Sequence, residues 1–147
     1  MEFLLYLTPV GNEIVNSLAS AKFHIYENSG PCKVERIFGY AKYPNKLFIC
    51  TENIKSLGYN PNIYVSETLY HESTHAAQFC RKRKSFGFND RLGLSKEKMP
   101  ISYHKQKDIQ NAVKITKNYS WEHQEHEAFY LEDKPEQVLK YIKKFCF

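Results

Sequence analysis

No two cysteines of this 147-residue chain stand at C-x-x-C spacing, and no apolar run approaches the ~20 residues that a bilayer-spanning helix needs. Cys32, Cys50, Cys80 and Cys146 are widely scattered. That scatter excludes a cysteine zinc ribbon and gives no sign of a disulfide framework. The N-terminus, "MEFLLYLTPVGNE", carries Glu2 where a signal peptide would carry Lys or Arg. These absences predict a cytoplasmic protein with reduced thiols and no membrane partner. Repeats and low-complexity linkers are absent too, so residues 1–147 read as a single domain. Neither sign of charge dominates: 21 Lys and Arg against 16 Asp and Glu leave a net +5, too small an excess to imply nucleic acid by itself. What is present is an ordinary globular balance, 42% hydrophobic and 25% charged, rich in Tyr and Phe.

Along the chain, "NEIVNSLASAKF" (12–23) has helical spacing at Ile14, Val15, Leu18 and Ala21. "KVERIFGYA" and "KLFICT" flank the turn signal Pro44-Asn45, so 33–51 reads as a β-hairpin. A helix is expected from about Ser66 to Arg83. An irregular excursion punctuated by Gly and Pro follows over 85–103, then a helix over 104–117. Another helix is expected over 119–133 with Ser120 as its cap, and a last one opens at Pro135 with Val138, Leu139, Ile142 and Phe145 facing inward. Helix, hairpin, then helices make an α+β domain.

One stretch does not fit an ordinary core helix: "LYHESTHAAQFC" (69–80). His71 and His75 are four apart, about one helical turn, so both imidazoles can reach one ion. Glu72 is rotated about 100° from His71 and stands beside that ion, where a general base takes a proton from water. The spacing is the H-E-x-x-H motif of zinc hydrolases. Its neighbours Leu69, Ser73, Thr74, Ala76 and Ala77 form the neutral flank that a buried site needs. The bland alternative makes both histidines polar residues on a half-exposed helix.

A catalytic zinc usually takes three protein ligands. The metzincin continuation would need Gly at position 78 and His at 81, where this chain has Gln78 and Arg81. Cys80, about 140° round the helix from His75, reads as a small buried thiol. The remaining source is "WEHQEHEAFYLED" (121–133). With Trp121 at 0°, Ala128 falls near about 340° and Phe129 near about 80°, which defines an inward face with Glu125 in its middle at about 40°. Glu127 falls near about 240°, and His123 and His126 near about 200° and 140°, on the flank or solvent side. Glu132, near about 20°, also faces inward but at the helix end. A bulge would turn Glu127 inward in place of Glu125.

"HESTH" at 71–75 with "EHEA" at 125–128 resembles the gluzincin type of zinc metallopeptidase, and in particular the small stand-alone zincin-like domains of bacteria and phages. The likeness directly covers about twenty residues of two helices. It implies zinc as cofactor, a water nucleophile, peptide or protein substrates, and Glu125, three residues before Ala128, as third ligand. It also implies substrate lying along the edge strand of a small sheet, expected at "KLFICT". Phe129 stands where several gluzincins carry an Asp that orients a zinc-bound histidine, so that contact must come from elsewhere or be missing.

The expected reaction is hydrolysis in which zinc acidifies a water, Glu72 takes its proton as it attacks the carbonyl, and the proton passes to the leaving amine. No oxyanion stabiliser is assigned; Tyr103 and His104 read as a solvated pair. The basic run "RKRK" (81–84) is read as cations complementing a helix C-terminus. Its rival is phosphate binding by a zinc-stabilised nucleic-acid module. A structural zinc protein without turnover is the third reading.

Overall fold

The computed structural model describes residues 1–147. Its elements run α1 (Pro9–Ser20), β1 (His24–Glu27), α2 (Pro31–Val34), β2 (Gly39–Lys42), β3 (Lys46–Ile49), α3 (Thr51–Ser56), α4 (Pro61–Lys84), α5 (Tyr103–Thr116), α6 (Glu122–Leu131) and α7 (Pro135–Cys146). Tight 3-10 turns lie at Glu2–Tyr6, Lys96–Lys98 and Tyr119–Trp121. The α+β class is as expected.

Helix starts fall where prolines and caps put them. Thr8 accepts from the Gly11 amide and Pro9 opens α1; Asn60 accepts from the Asn62 amide and Pro61 opens α4. A proline in the first turn loses no hydrogen bond, because that amide has no partner in the helix. α4 therefore begins five residues before the expected Ser66. Ser120 caps nothing: its Oγ donates to the Asn118 side chain, 2.9 Å away, and α6 starts without a side-chain cap.

The hairpin forms over 39–49 only, as antiparallel β2 and β3, with Lys33 and Val34 of the expected strand in α2 instead, and β1 pairs parallel with β3 on its other side. The sheet order β1-β3-β2 puts Lys46–Ile49 in the centre. "KLFICT" is thus not an edge strand, and the edges are β1 and β2. Leu47 and Ile49 are sealed in the core beneath α4.

Nearly every residue of α4 from Val65 to Cys80 is buried, with the sheet on one side and α6, α7 and α1 around the rest. A helix enclosed this way has no solvent face to hold its polar groups, so each needs an internal partner. Thr68 and Thr74 return their hydroxyls to the carbonyls of Tyr64 and Tyr70, four residues back. Ala76 and Ala77, without any exposed surface, let the neighbouring helices approach closely. Val138, Leu139 and Ile142 of α7 are buried against this core, and Phe145 packs at its edge.

All four cysteines are paired. Cys32 bonds Cys50, tying α2 to the end of β3, and Cys80 bonds Cys146, tying α4 to α7. The expectation of reduced thiols is overturned, and with it the reading of Cys80 as a lone core thiol. Pairing across 18 and 66 residues has no signature in sequence spacing, since only the packing of α2 on the sheet and of α7 on α4 brings those Cα atoms to 5.4 and 5.1 Å. No helix is long and apolar enough to cross a membrane.

Candidate metal centre

Three ligand atoms converge between α4 and α6. One from each of His71, His75 and Glu125 lie within 4.8 Å of one another. The Glu125 carboxylate stands 2.5 Å from His75 Nε2 and 3.6 Å from His71 Nε2. His75 is 4% exposed and the side chains of His71 and Glu125 about one-eighth exposed, so the group is buried but not sealed. Two imidazoles and a carboxylate are a donor set that could hold a metal ion.

Each imidazole is oriented from behind. His71 Nδ1 is 3.0 Å from Glu132 Oε2 and His75 Nδ1 is 2.8 Å from Gln78 Oε1. Both partners accept, so each ring carries a proton on Nδ1 and turns Nε2 toward Glu125, as a donor to the carboxylate while the ring is protonated and as a free lone pair once it is neutral. Gln78 can only be oriented this way, because its Nε2 donates to the Gln124 carbonyl (3.0 Å) and to Glu127 Oε1 (2.9 Å). Glu132, seven residues and two helical turns after Glu125, is thus the carboxylate that touches His71 from behind, a contact Phe129 cannot make. Phe129 instead sets its ring edge-on to His71, with centroids 4.5 Å apart. Lys105 Nζ lies 3.5 Å from Glu132 and donates to the Phe129 carbonyl, which steadies the end of α6.

Charge follows from this enclosure. Burial alone would depress His71 and His75, but the carboxylates facing them, Glu125 above all, hold both above the ordinary value, His71 well above. Glu125 moves the opposite way: its burial is outweighed by the two imidazoles, and its pKa is strongly lowered. Glu72 is 6% exposed, and burial pushes its carboxyl up against the pull of His71 and His75.

The phase expected for α6 needs correction. Its buried residues are Gln124, Glu127, Ala128 and Leu131, a face centred near about 290° on the same projection, roughly a quarter turn from the expected one. Trp121 misled because it lies in the 3-10 turn before the helix. Glu125 therefore reaches the histidines from the flank of the buried face, while Glu127, expected on the solvent side, has no exposed surface. Glu127 binds the backbone instead: the Leu92 amide donates to both its oxygens, 2.8 and 3.1 Å away. His123 and His126 contact the Leu94 and Met99 carbonyls at 2.9 and 2.8 Å. The polar side chains of α6 that look out of place in a core helix thus pin the irregular 85–103 segment. Tyr103 and His104 stand exposed on the first turn of α5.

β2 crosses α4 beside Glu72. A Cβ on Gly39 would come within 2.5 Å of Thr68 Cγ2, 3.0 Å of Glu72 Cγ and 3.1 Å of the Phe48 carbonyl oxygen. Only glycine lets the strand pass at this distance. Its role was not visible in the sequence, where "FGY" reads as an ordinary strand; Gln78 and Glu132 carried a weak signal in their positions one turn after His75 and two turns after Glu125.

Residues 3–147 match a family described as a domain of unknown function (DUF8637), and the chain belongs to that family. No curated protein and no solved structure matches it.

Proposed function

We propose that this protein is a zinc-dependent hydrolase of the gluzincin type, most simply a peptidase, with His71, His75 and Glu125 as metal ligands and Glu72 as general base. The observation that carries the reading is the convergence of the three ligand atoms with both imidazoles fixed from behind by Glu132 and Gln78. A merely polar helix would not need two oriented Nε2 atoms converging on one buried carboxylate. Zinc fits this N2O set, and when bound it would supply Lewis acidity toward a water and a substrate carbonyl.

The chain's own groups then do the following. Glu72, buried beside the two histidines, takes the proton of the attacking water and delivers it to the departing amine. Glu132 and Gln78 keep the ligand rings in one tautomer and one orientation. β2 has β3 on one edge and no strand on the other, and its first residue, Gly39, packs on Glu72. An extended peptide added to that free edge would run past the base with its backbone hydrogen-bonded. This moves the substrate strand from the expected "KLFICT" to Gly39–Lys42.

The two disulfides favour an oxidising compartment over the cytoplasm, where thiols are kept reduced. The test pairs metal analysis of the purified protein with digestion of a broad peptide library. Zinc at one per chain, cleavage by the parent, and zinc without cleavage in Glu72→Gln are expected. Glu125→Ala should lose zinc, whereas Glu127→Ala should keep it and lose stability. Zinc bound without any cleavage by the parent would assign a structural role instead.

A further inference from the structure

α4 ends in "RKRK", and the turn after it, "SFGF" (85–88), holds the two most exposed large apolar side chains of the molecule, Phe86 at 92% and Phe88 at 93%. Their exposure is not that of a loose loop. Four successive amides from Ser85 to Phe88 donate to carbonyls of the helix end and the turn, and Ser85 Oγ accepts from the Asn89 amide at 2.8 Å. Phe86 adopts a left-handed backbone, φ 55°, which a residue with a branched, bulky side chain seldom does. A fixed turn therefore holds both rings in water, where nothing in the chain covers them.

Charge is concentrated around the same turn. Residues 81–98 contain seven Lys and Arg against two acids, Asp90 and Glu97, which leaves fourteen of each sign in the rest of the chain. The whole net charge of +5 thus resides in this segment. None of the four cations of 81–84 is paired with an Asp or Glu side chain; Arg81 donates to the Arg91 carbonyl and Lys84 Nζ to the Phe147 oxygen, 2.6 Å away. Lys82 instead lies over the Tyr43 ring, Arg83 over Phe23 and Arg81 over Phe145. Those rings belong to segments that carry exposed Lys42, Lys46 and Lys22, so the basic surface continues onto the β2–β3 turn.

We propose that the C-terminal end of α4 and the turn after it dock this protein on anionic lipid bilayers. Phe86 and Phe88 enter the headgroup–acyl boundary, and Lys82, Arg83 and Lys84 with their lysine neighbours meet the lipid phosphates. Neither signal suffices alone: exposed rings without cations have no preference for anionic surfaces, and cations without rings are released by salt. The combination of fixed apolar inserts and a surround of cations free of Asp and Glu partners is what a membrane surface selects. An oligonucleotide would also meet the cations and its bases stack on aromatic rings, but single-strand sites line a groove with those rings, whereas Phe86 and Phe88 project from a turn, 92% and 93% exposed.

The full chain is titrated with sedimenting vesicles of phosphatidylcholine alone and of phosphatidylcholine mixed with phosphatidylserine, and with a single-stranded oligonucleotide. Binding is expected only to the mixed vesicles, weakening as salt rises. Phe86→Ser with Phe88→Ser should weaken it by about 100-fold, about tenfold for each ring. Lys82→Gln with Lys84→Gln should weaken it by about 25-fold, about fivefold for each charge. These side chains lie outside the core, so unchanged thermal unfolding checks that both variants fold. Glu72→Gln, which tests the hydrolase reading, should bind vesicles like the parent, so the two ideas stand or fall separately. Equal binding to both vesicle types, no binding, indifference to loss of the two rings, or preference for the oligonucleotide would overturn the proposal.

Discussion

The contact between His71 Nδ1 and Glu132 Oε2, at 3.0 Å, is where the proposed metal site can be perturbed with the least damage to the fold. Glu132 sits at the end of α6, its side chain 14% exposed, whereas Gln78 is fully buried and its removal would take a donor from the buried Glu127 carboxylate. Partners of this kind are typically worth 10- to 100-fold in metal affinity, about 1.4–2.7 kcal/mol. Glu132→Gln keeps the shape, and its amide oxygen can still accept from Nδ1, so the loss is of charge alone and falls at the lower end, about tenfold. Glu132→Ala removes the acceptor as well and should approach 100-fold. The same carboxylate also favours the protonated ring, so the proton competes less in the variant. The deficit should therefore widen as pH rises and the parental His71 becomes neutral. Zinc affinity by competition with a chromophoric chelator, measured from pH 6 to 9, reads this directly. Parental affinity in Glu132→Ala at pH 9, with His71→Ala abolishing binding, would show that Glu132 does not orient the ligand and would refute the reasoning.

In the metal-free protein the raised histidines contribute stability fully below their unfolded value of 6.5, and lose it as pH rises through the folded value. The lowered Glu125 contributes above its unfolded value of 4.5 and loses it as pH falls. Stability with chelator present should thus peak between those values and decline toward pH 8, while excess zinc should reverse the decline; a flat chelated profile would count against the buried triad. Replacing Cys80 and Cys146 together by Ala opens a cross-link over 66 residues and should cost about 4 kcal/mol by loop entropy, seen as a lower denaturant midpoint. An unchanged midpoint would mean the bond does not form in the native protein. Gly39→Ala should destabilise by about 1–3 kcal/mol, because the new methyl meets Thr68, Glu72 and the Phe48 carbonyl at once. It should also reduce peptide turnover more than zinc affinity, and the opposite order would detach Gly39 from the base.

Local chemistry made much of this protein readable as a string of residues. His71, Glu72 and His75 share one turn of one helix, and a helix converts spacing into geometry without help from the rest of the chain. The same holds for Pro135 at the start of α7 and for the inward positions Val138, Leu139 and Ile142, whose period is a property of the helix itself. Glu125 does stand beside the two histidines, but the inward face that singled it out lies about a quarter turn away, since a 3-10 turn at Tyr119–Trp121 broke the helical phase the projection assumed. What depends on two distant segments meeting was decided by tertiary structure. β1 is four residues long, too short for a periodic signal, and only its pairing with β3 makes Lys46–Ile49 central rather than an edge. Glu132 became the partner of His71 because α6 packs across α4, and Glu127 turned inward because the 85–92 segment needed an acceptor for the Leu92 amide. The cysteines make the same point: each thiol is unremarkable in its own stretch of chain, and a disulfide is a statement about two Cβ atoms in space, which only the packing of α7 on α4 and of α2 on the sheet could bring together.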